Sequence, residues 1–393
     1  MDADGLRRAL HALQPDVDRT ITRERVRDYV KALADTPAPS TAAAAMRIPV
    51  LRRLLRQDGA LESGRLHLHA DFGNTGSPVI LTGSPDPAKP LWYFAHLDTI
   101  SYLAQPFDGE RTPLVPFCYH LVADGSRTAR AYRYDLTRNA YVVLAEGALE
   151  SEAGKPFFRP VTPDILLRAG DRVVPVSTYR QDRGSGHFIG HVDNAGGVAA
   201  LAVAAPVLAR AGVEAMLAFP DEEEGPPGSG NQVMGRGGSR IANLLPVPEL
   251  AIIADMQQAG GDPHADTKGG IENSTRLAAG AVLAEFSSFA RGAVTPPHLY
   301  ALARHVAGLL GELGVSVQES NNAYTSRSDD VSVMLRTPNI LLLGFPGFNR
   351  HFDFGEPRAH LDDIVSLAKT LVYMAAVRPW LAERRDALLG ADQ

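Results

Sequence analysis

Short apolar segments that each run out into a carboxylate or an imidazole recur along this chain of 393 residues, and helical stretches separate them. Val79-Ile80-Leu81 and Leu91-Trp92-Tyr93-Phe94, bounded by Gly, Pro and Asp, read as buried strands. Ala215 to Phe219, Leu250 to Ala254 and Asn339 to Leu343 read the same way. Val198 to Arg210, Tyr300 to Leu313 and Asp363 to Val377 carry the helical period. Strands alternating with helices predict an α/β fold, a mixed sheet with helices on both faces. Its active site is expected in the loops that leave the C-terminal strand ends. Before Asp71 the chain reads as helical, around Leu6, Leu10 and Leu13, from Val26 to Leu33 and from Val50 to Leu55, with a Pro/Ala/Ser break from Pro37 to Ala45.

From about Pro106 to Gly186 the texture changes. Arg130 to Tyr134, Tyr141 to Leu144 and Val173 to Val176 alternate with turns, and no long helical period appears. This predicts an inserted, barrel-like β domain over 106–186, with 1–105 and 187–393 forming one discontinuous catalytic domain. The length suits two domains.

Composition narrows the function. With 45% hydrophobic and 21% charged residues the chain is globular. The longest apolar run, Val198 to Ala209 with Pro206 inside it, is too short to span a bilayer, so no membrane partner is expected. Met1-Asp2-Ala3-Asp4 lacks the basic-then-apolar order of a secretory signal, so a cytoplasmic location is the expectation. A net charge of -6 and no long basic run argue against nucleic acid. The single cysteine, Cys118, excludes an intrachain disulfide and a cysteine-built zinc or iron–sulfur site. There is no GxxxxGK[ST] loop, no GxSxG elbow and no HExxH helix.

What remains is imidazole and carboxylate at strand ends. Phe94-Ala95-His96-Leu97-Asp98 follows one strand, Phe219-Pro220-Asp221-Glu222-Glu223-Glu224-Gly225 a second, and Ile253-Ala254-Asp255 a third. Gly190-His191-Val192-Asp193-Asn194 precedes a buried helix, and His360 opens the last one. Taken singly, each has a structural reading: a hydrogen-bonded His–Asp pair, a helix cap, a solvated acidic loop. Together they place histidine, aspartate, glutamate, aspartate and histidine at the expected rim of one sheet. Four adjacent carboxylates repel unless a cation gathers them.

The order and context of these motifs resemble the TET-type (glutamyl/leucyl) aminopeptidases, two-metal co-catalytic metallopeptidases. His96-Leu97-Asp98-Thr99-Ile100-Ser101-Tyr102 is similar to that family's first metal motif. The β-rich insert lies where the family carries its second domain, and Leu167 to Val174 resembles the strand that closes it. Ser328-Asp329-Asp330 with Thr337-Pro338-Asn339-Ile340 resembles the stretch before the last ligand. The likeness runs from about Asp71 onward. It implies a phosphorylase/hydrolase-like catalytic domain, two divalent ions per subunit (zinc, or else cobalt or manganese) and a homo-oligomer, a dimer or larger. It also implies the ligands His96, Asp193, Glu223, Asp255 and His360, with Asp193 bridging. Glu222 would be the general base that takes a proton from the bridging water, and Asp98 would accept a hydrogen bond from His96 and fix its tautomer.

Three departures stand out. Asn194 follows Asp193 where the family usually has a second aspartate, the stretch from Gly225 to Gly238 looks longer than usual, and His351 rivals His360 as last ligand. His360 is preferred because the following helix and Asp363 look like the family's ending. The implied activity is an aminopeptidase releasing N-terminal residues from peptides. The alternative is a deacylase/amidohydrolase acting on an N-acyl amino acid or a small-molecule amide, which Arg327, Arg350 and Arg358 near the last motifs keep open.

Overall fold

The computed structural model describes residues 3–105, 110–118, 124–182, 184–226, 234–261, 271–352 and 354–389. Among these, eleven strands form one mixed sheet. Its heart is parallel: Ala215–Ala218, Leu91–Phe94, Leu250–Gln258 and Ile340–Phe348 lie side by side in that order. Antiparallel strands flank it, Leu66–His69 and Val79–Thr82 at one edge, and Arg358–His360, His187–Ile189 and Arg180–Gln181 at the other.

Alternation along the strands divides the core in two. Leu91 and Tyr93 join the larger apolar cluster, which buries the helices Ala3–Thr20, Arg23–Ala34, Val192–Arg210 and Leu361–Met374. Trp92 and Phe94 point the other way, toward Ile241 and Ala242 of the helix Arg236–Leu244. Helices on both faces of a mixed sheet are what the strand–helix alternation requires. The helix expected from Val198 begins earlier, at Val192, and its 19 residues are long and apolar enough to cross a membrane by length and composition. That whole apolar window is buried inside the protein, so it is the central core helix. The last helix, expected to run from Asp363 to Val377, is two: Leu361–Met374 and Val377–Leu389.

A second unit is a closed antiparallel barrel of six strands, ordered Ser101–Ala104, Thr112–Phe117, Lys155–Pro160, Ala140–Glu152, Gly125–Asp135, Arg172–Pro175 and back to the first. Tyr102, Leu114, Leu149, Phe158 and Val173 fill it. The expected boundaries of 106–186 therefore shift. The barrel already opens at Ser101, and Arg180–Gln181 pairs with the main sheet.

Candidate metal centre

Four neighbouring strand ends and one helix start deliver the site, the fourth being that of Ile340–Phe348, which leads to His351. The chain leaves Phe94 and presents His96 two residues later, while the adjacent strand runs through Phe219 and Pro220 into Asp221–Glu224. Leu97 N donates to Pro220 O at 2.7 Å and ties the two exits together. Leu250–Gln258 outlasts its neighbour, pairing with it only as far as Ile253–Phe94, so Asp255 emerges beyond that strand's end. Asp193 sits in the first turn of Val192–Arg210 with extended rather than helical torsions. The glycines that follow let this turn approach the sheet. A Cβ at Gly196 would lie 2.5 Å from Phe345, and one at Gly197 would lie 2.3 Å from Asn194 Oδ1. Asn194 itself donates to Ala254 O at 2.8 Å and accepts from Gly197 N at 3.0 Å, pinning Asp193 beside Asp255.

The side chains converge closely. His96 Nε2 lies 3.1 Å from Asp193 Oδ1, 3.4 Å from Asp255 Oδ1 and 3.8 Å from Glu223 Oε2. His351 Nε2 lies 3.5 Å from both Asp193 Oδ2 and Glu224 Oε2. The two oxygens of Asp193 thus face different imidazoles. Two groups of ligand atoms result, His96/Asp193/Asp255 and Asp193/Glu224/His351, each within 4.8 Å. None of these residues, nor Glu223, is more than 5% exposed.

Behind them, His96 Nδ1 lies 3.0 Å from the backbone carbonyl of Asp98. A carbonyl only accepts, so Nδ1 donates to it, and Nε2 is the nitrogen turned toward the carboxylates. This corrects the expectation for Asp98. Its carboxylate stands 3.5 Å from Nδ1 and is occupied elsewhere, accepting from Ser40 Oγ at 2.6 Å, Glu223 N at 3.0 Å and Glu224 N at 3.4 Å. Asp98 therefore holds the acidic loop, while its backbone sets the histidine.

Two further expectations move. Glu222 does not reach the cluster. Its φ of 64° is left-handed, a conformation a side chain seldom adopts, and it swings the carboxylate outward to Arg240 at 2.7 Å and Arg236 at 3.5 Å. One residue is looped out, so Glu223 and Glu224 occupy the places expected for Glu222 and Glu223. His360 is elsewhere too. Its Nδ1 caps the helix Leu361–Met374 by accepting from Asp362 N, its Nε2 lies 2.6 Å from Ser185 O, and its ring meets that of His187 edge-on. Both nitrogens are taken, and His351 stands in the cluster instead. No local sequence signal marks Glu224, and His351 carries none beyond being a histidine after a strand. Of the Gly225–Gly238 stretch, residues 227–233 lie outside the described residues.

Electrostatics suit a cation. Burial, then Asp255, pushes Asp193 up to about 6 against the pull of His96 and Arg350. Burial and neighbouring carboxylates raise Glu223 and Glu224 well above the ordinary range. Burial works against a charge on His96, yet Glu223, Asp193, Asp255 and Asp98 together drive it well up. Glu223 Oε1 and Glu224 Oε1 are buried and accept no hydrogen bond from the described residues. Four carboxylates and two imidazoles gathered with unpartnered oxygens are a fit for divalent ions, and the mixed nitrogen and oxygen donors suit zinc, cobalt or manganese.

Comparison with known proteins gives the family and the fold. The sequence profile of peptidase family M20/M25/M40 matches residues 169–376. No curated protein matches the chain. Among solved structures, the aminopeptidase APDkam598 from the archaeon Desulfurococcus kamchatkensis superposes with a TM-score of 0.69 at 15% identity, covering 90% of this chain and 95% of that one. The TET aminopeptidase from the marine sediment archaeon Thaumarchaeota archaeon SCGC AB-539-E09 gives 0.67 at 14% identity, over 90% and 96%. The Pyrococcus horikoshii TET1 peptidase, which can assemble into a tetrahedron or a large octahedral shell, gives 0.66 at 16% identity, over 89% and 99%. At such identities the likeness is one of fold.

Proposed function

The chain belongs to peptidase family M20/M25/M40, and from that premise we propose that it is a TET-type, two-metal exopeptidase releasing N-terminal residues from peptides. The observation that carries this reading is Asp193, whose two oxygens each face a separate imidazole–carboxylate group. His96 and Asp255 would hold one ion, His351 and Glu224 the other, with Asp193 between. Such ions, when bound, polarise the scissile carbonyl and lower the pKa of water. Zinc is the first choice for both.

The protein's own groups do the rest. Glu223 lies in the same cavity, is raised by burial and Glu224, and has one free oxygen, the attributes of a general base. Asp98 orients it through its backbone N–H. Asn194 and the Asp98 carbonyl fix Asp193 and His96 before any substrate arrives. The deacylase reading keeps one observation in its favour: the cavity also carries Arg327 and Arg350. For the barrel we propose the role of an oligomer contact, since Val115, Tyr134, Val143 and Val161 on its strands and turns are exposed. A monomer by light scattering would remove that role.

Metal analysis tests the centre. The wild type should hold two ions per chain and His360→Ala should keep both, whereas His351→Ala should hold about one. One ion or fewer in active wild type, or loss through His360→Ala alone, would overturn the assignment.

A further inference from the structure

Behind the cluster, away from the cavity, lies a cation that the mechanism has not used. Arg47 is on the helix Ala43–Gln57, buried together with Ile48, Leu51, Leu54 and Leu55, and it is 0% exposed. Arginine is almost never fully buried without a partner. Here Nε donates to Thr36 O at 3.2 Å and Nη1 to Leu97 O at 2.6 Å, while Nη2 is buried with no hydrogen-bond partner among the described residues. Both partners are neutral carbonyls. Burial pulls the guanidinium down to about 10, and the negative groups that sustain its charge are Asp98, Asp193 and Asp221. An apolar side chain of similar volume would fill the space without the cost of burying a charge.

What Arg47 holds is central to the site. Leu97 stands between His96 and Asp98, and its N–H is tied to Pro220 O at 2.7 Å, so the acidic loop and Arg47 grip one residue from two sides. Asp98 then supplies the carbonyl that meets His96 Nδ1 and the carboxylate that takes Glu223 N and Glu224 N. The stretch of chain that leads into Arg47 grips the same two loops again. Ser40 Oγ donates to Asp98 Oδ2 at 2.6 Å, and Thr41 N and Ala43 N donate to Asp221 at 2.8 Å and 3.0 Å. From Ser40 to Arg47 the chain thus braces both 96–98 and 221–224 from behind.

We propose that Arg47 is a positioning residue of the metal centre, whose guanidinium holds the Leu97 carbonyl so that His96 and the glutamates of the acidic loop keep one relative placement. It acts through Leu97 and Asp98 and touches neither substrate nor ions. The proposal rests on the cluster being the metal-dependent hydrolytic centre. Charge alone works against such a role, since a buried cation repels the ions that the cluster would bind. Placement works for it, because groups that orient metal ligands from behind are worth about 10–100-fold in metal affinity or activity.

These effects differ in sign, so one substitution on the full chain separates them. Arg47→Met removes the fork and the charge and keeps an unbranched stem. Loss of charge alone would tighten zinc, and loss of packing alone would lower the melting temperature with zinc affinity unchanged. Loss of placement loosens zinc. Competition with a chelating dye, a readout without turnover, should show at least one zinc ion held about 10–100-fold more weakly in Arg47→Met. On leucyl p-nitroanilide, kcat of the zinc-saturated variant should fall by a similar factor while KM stays within about twofold, the pattern of a lost transition-state contribution. Arg47→Lys keeps the charge and a donor without the planar fork, and its zinc affinity and kcat should lie between the two. Zinc held as tightly as in wild type, or more tightly, in Arg47→Met would overturn the proposal whatever happens to the melting temperature. If Arg47→Met does not fold, Arg47→Lys decides, and wild-type zinc affinity in it would overturn the proposal. No cleavage of any amide by zinc-saturated wild type would instead overturn the peptidase reading, and zinc competition would still decide the role of Arg47.

Discussion

Three consecutive glutamates, exchanged singly for glutamine, separate the geometry of this site from the motif that announces it. Each exchange replaces one oxygen by an amide nitrogen and leaves volume nearly unchanged, so only charge and proton affinity move. Glu222 pairs with Arg240 and Arg236, whose side chains are 43% and 36% exposed. Solvent-screened pairs of this kind contribute about 0–1 kcal/mol each, so Glu222→Gln should lower stability by no more than about 2 kcal/mol and turnover by a few-fold at most. Glu223→Gln should keep both metals and lose about 10²–10⁴-fold in kcat, the range for general-base catalysis. Glu224→Gln should lose about one metal per chain, because the amide brings no negative charge to the His351 group. Metal-free stability gives a second signature. Glu223 and Glu224 are buried against each other and against Asp255 and Asp193, so either exchange removes repulsion. The metal-free variants should melt above metal-free wild type near pH 8 while being less active when loaded. The measurements are kcat, metal content and the melting curve of chelated protein. If Glu222→Gln abolished turnover while Glu223→Gln kept it, the looped-out residue would be wrongly placed and the reasoning with it.

Two further outcomes follow from the same contacts. The pKa of Asp193 is raised from 3.8 to about 6 in the folded, metal-free chain, so its contribution to stability is full below 3.8 and lost as pH rises through about 6. Metal binding needs the ionised form, so the melting-temperature gap between loaded and chelated protein should widen from pH 5 to pH 7, and a gap that narrows would contradict this. Asn194→Asp keeps the acceptor for Gly197 N but removes the donor to Ala254 O, which should cost about 1–3 kcal/mol of stability. Denaturant unfolding of Asn194→Asp with no loss would show that this tie is dispensable.

Much of the fold was readable because its strands are nearly all buried. Leu91-Trp92-Tyr93-Phe94 and Ala215–Ala218 are covered on both faces, so they are uninterrupted apolar runs flanked by turn residues. Edge elements were less legible. Leu66–His69 reads Leu-His-Leu-His and is only partly buried, and Val317–Glu319 has three residues with no buried side chain. The join between barrel and sheet is just as hard to read from sequence, because Ser101–Ala104 and Arg180–Gln181 are both short strands and only pairing partners tell which sheet each belongs to.

The shift from Glu222 to Glu223 has a physical cause that counting residues could not contain. A motif fixes spacing along the chain, whereas a site fixes position in space, and the two agree only while the backbone keeps one conformation. Here Asp221 turns inward, its carboxylate accepting from Thr41 N at 2.8 Å, Ala43 N at 3.0 Å and Glu222 N at 2.7 Å. The chain must then reverse within one residue, and Glu222 takes up the left-handed torsion that lets it do so. Asp98 catches the next two amides, Glu223 N and Glu224 N, and so fixes which pair of glutamates faces His96 and His351. The register of the acidic loop is thus set by Asp98 and Asp221, two buried carboxylates outside the metal-competent groups. Asp98→Ala should therefore free both amides and lower metal content together with turnover. Loss of turnover with both ions still tightly held would mean that the loop keeps its register without Asp98, and that the left-handed residue alone sets it.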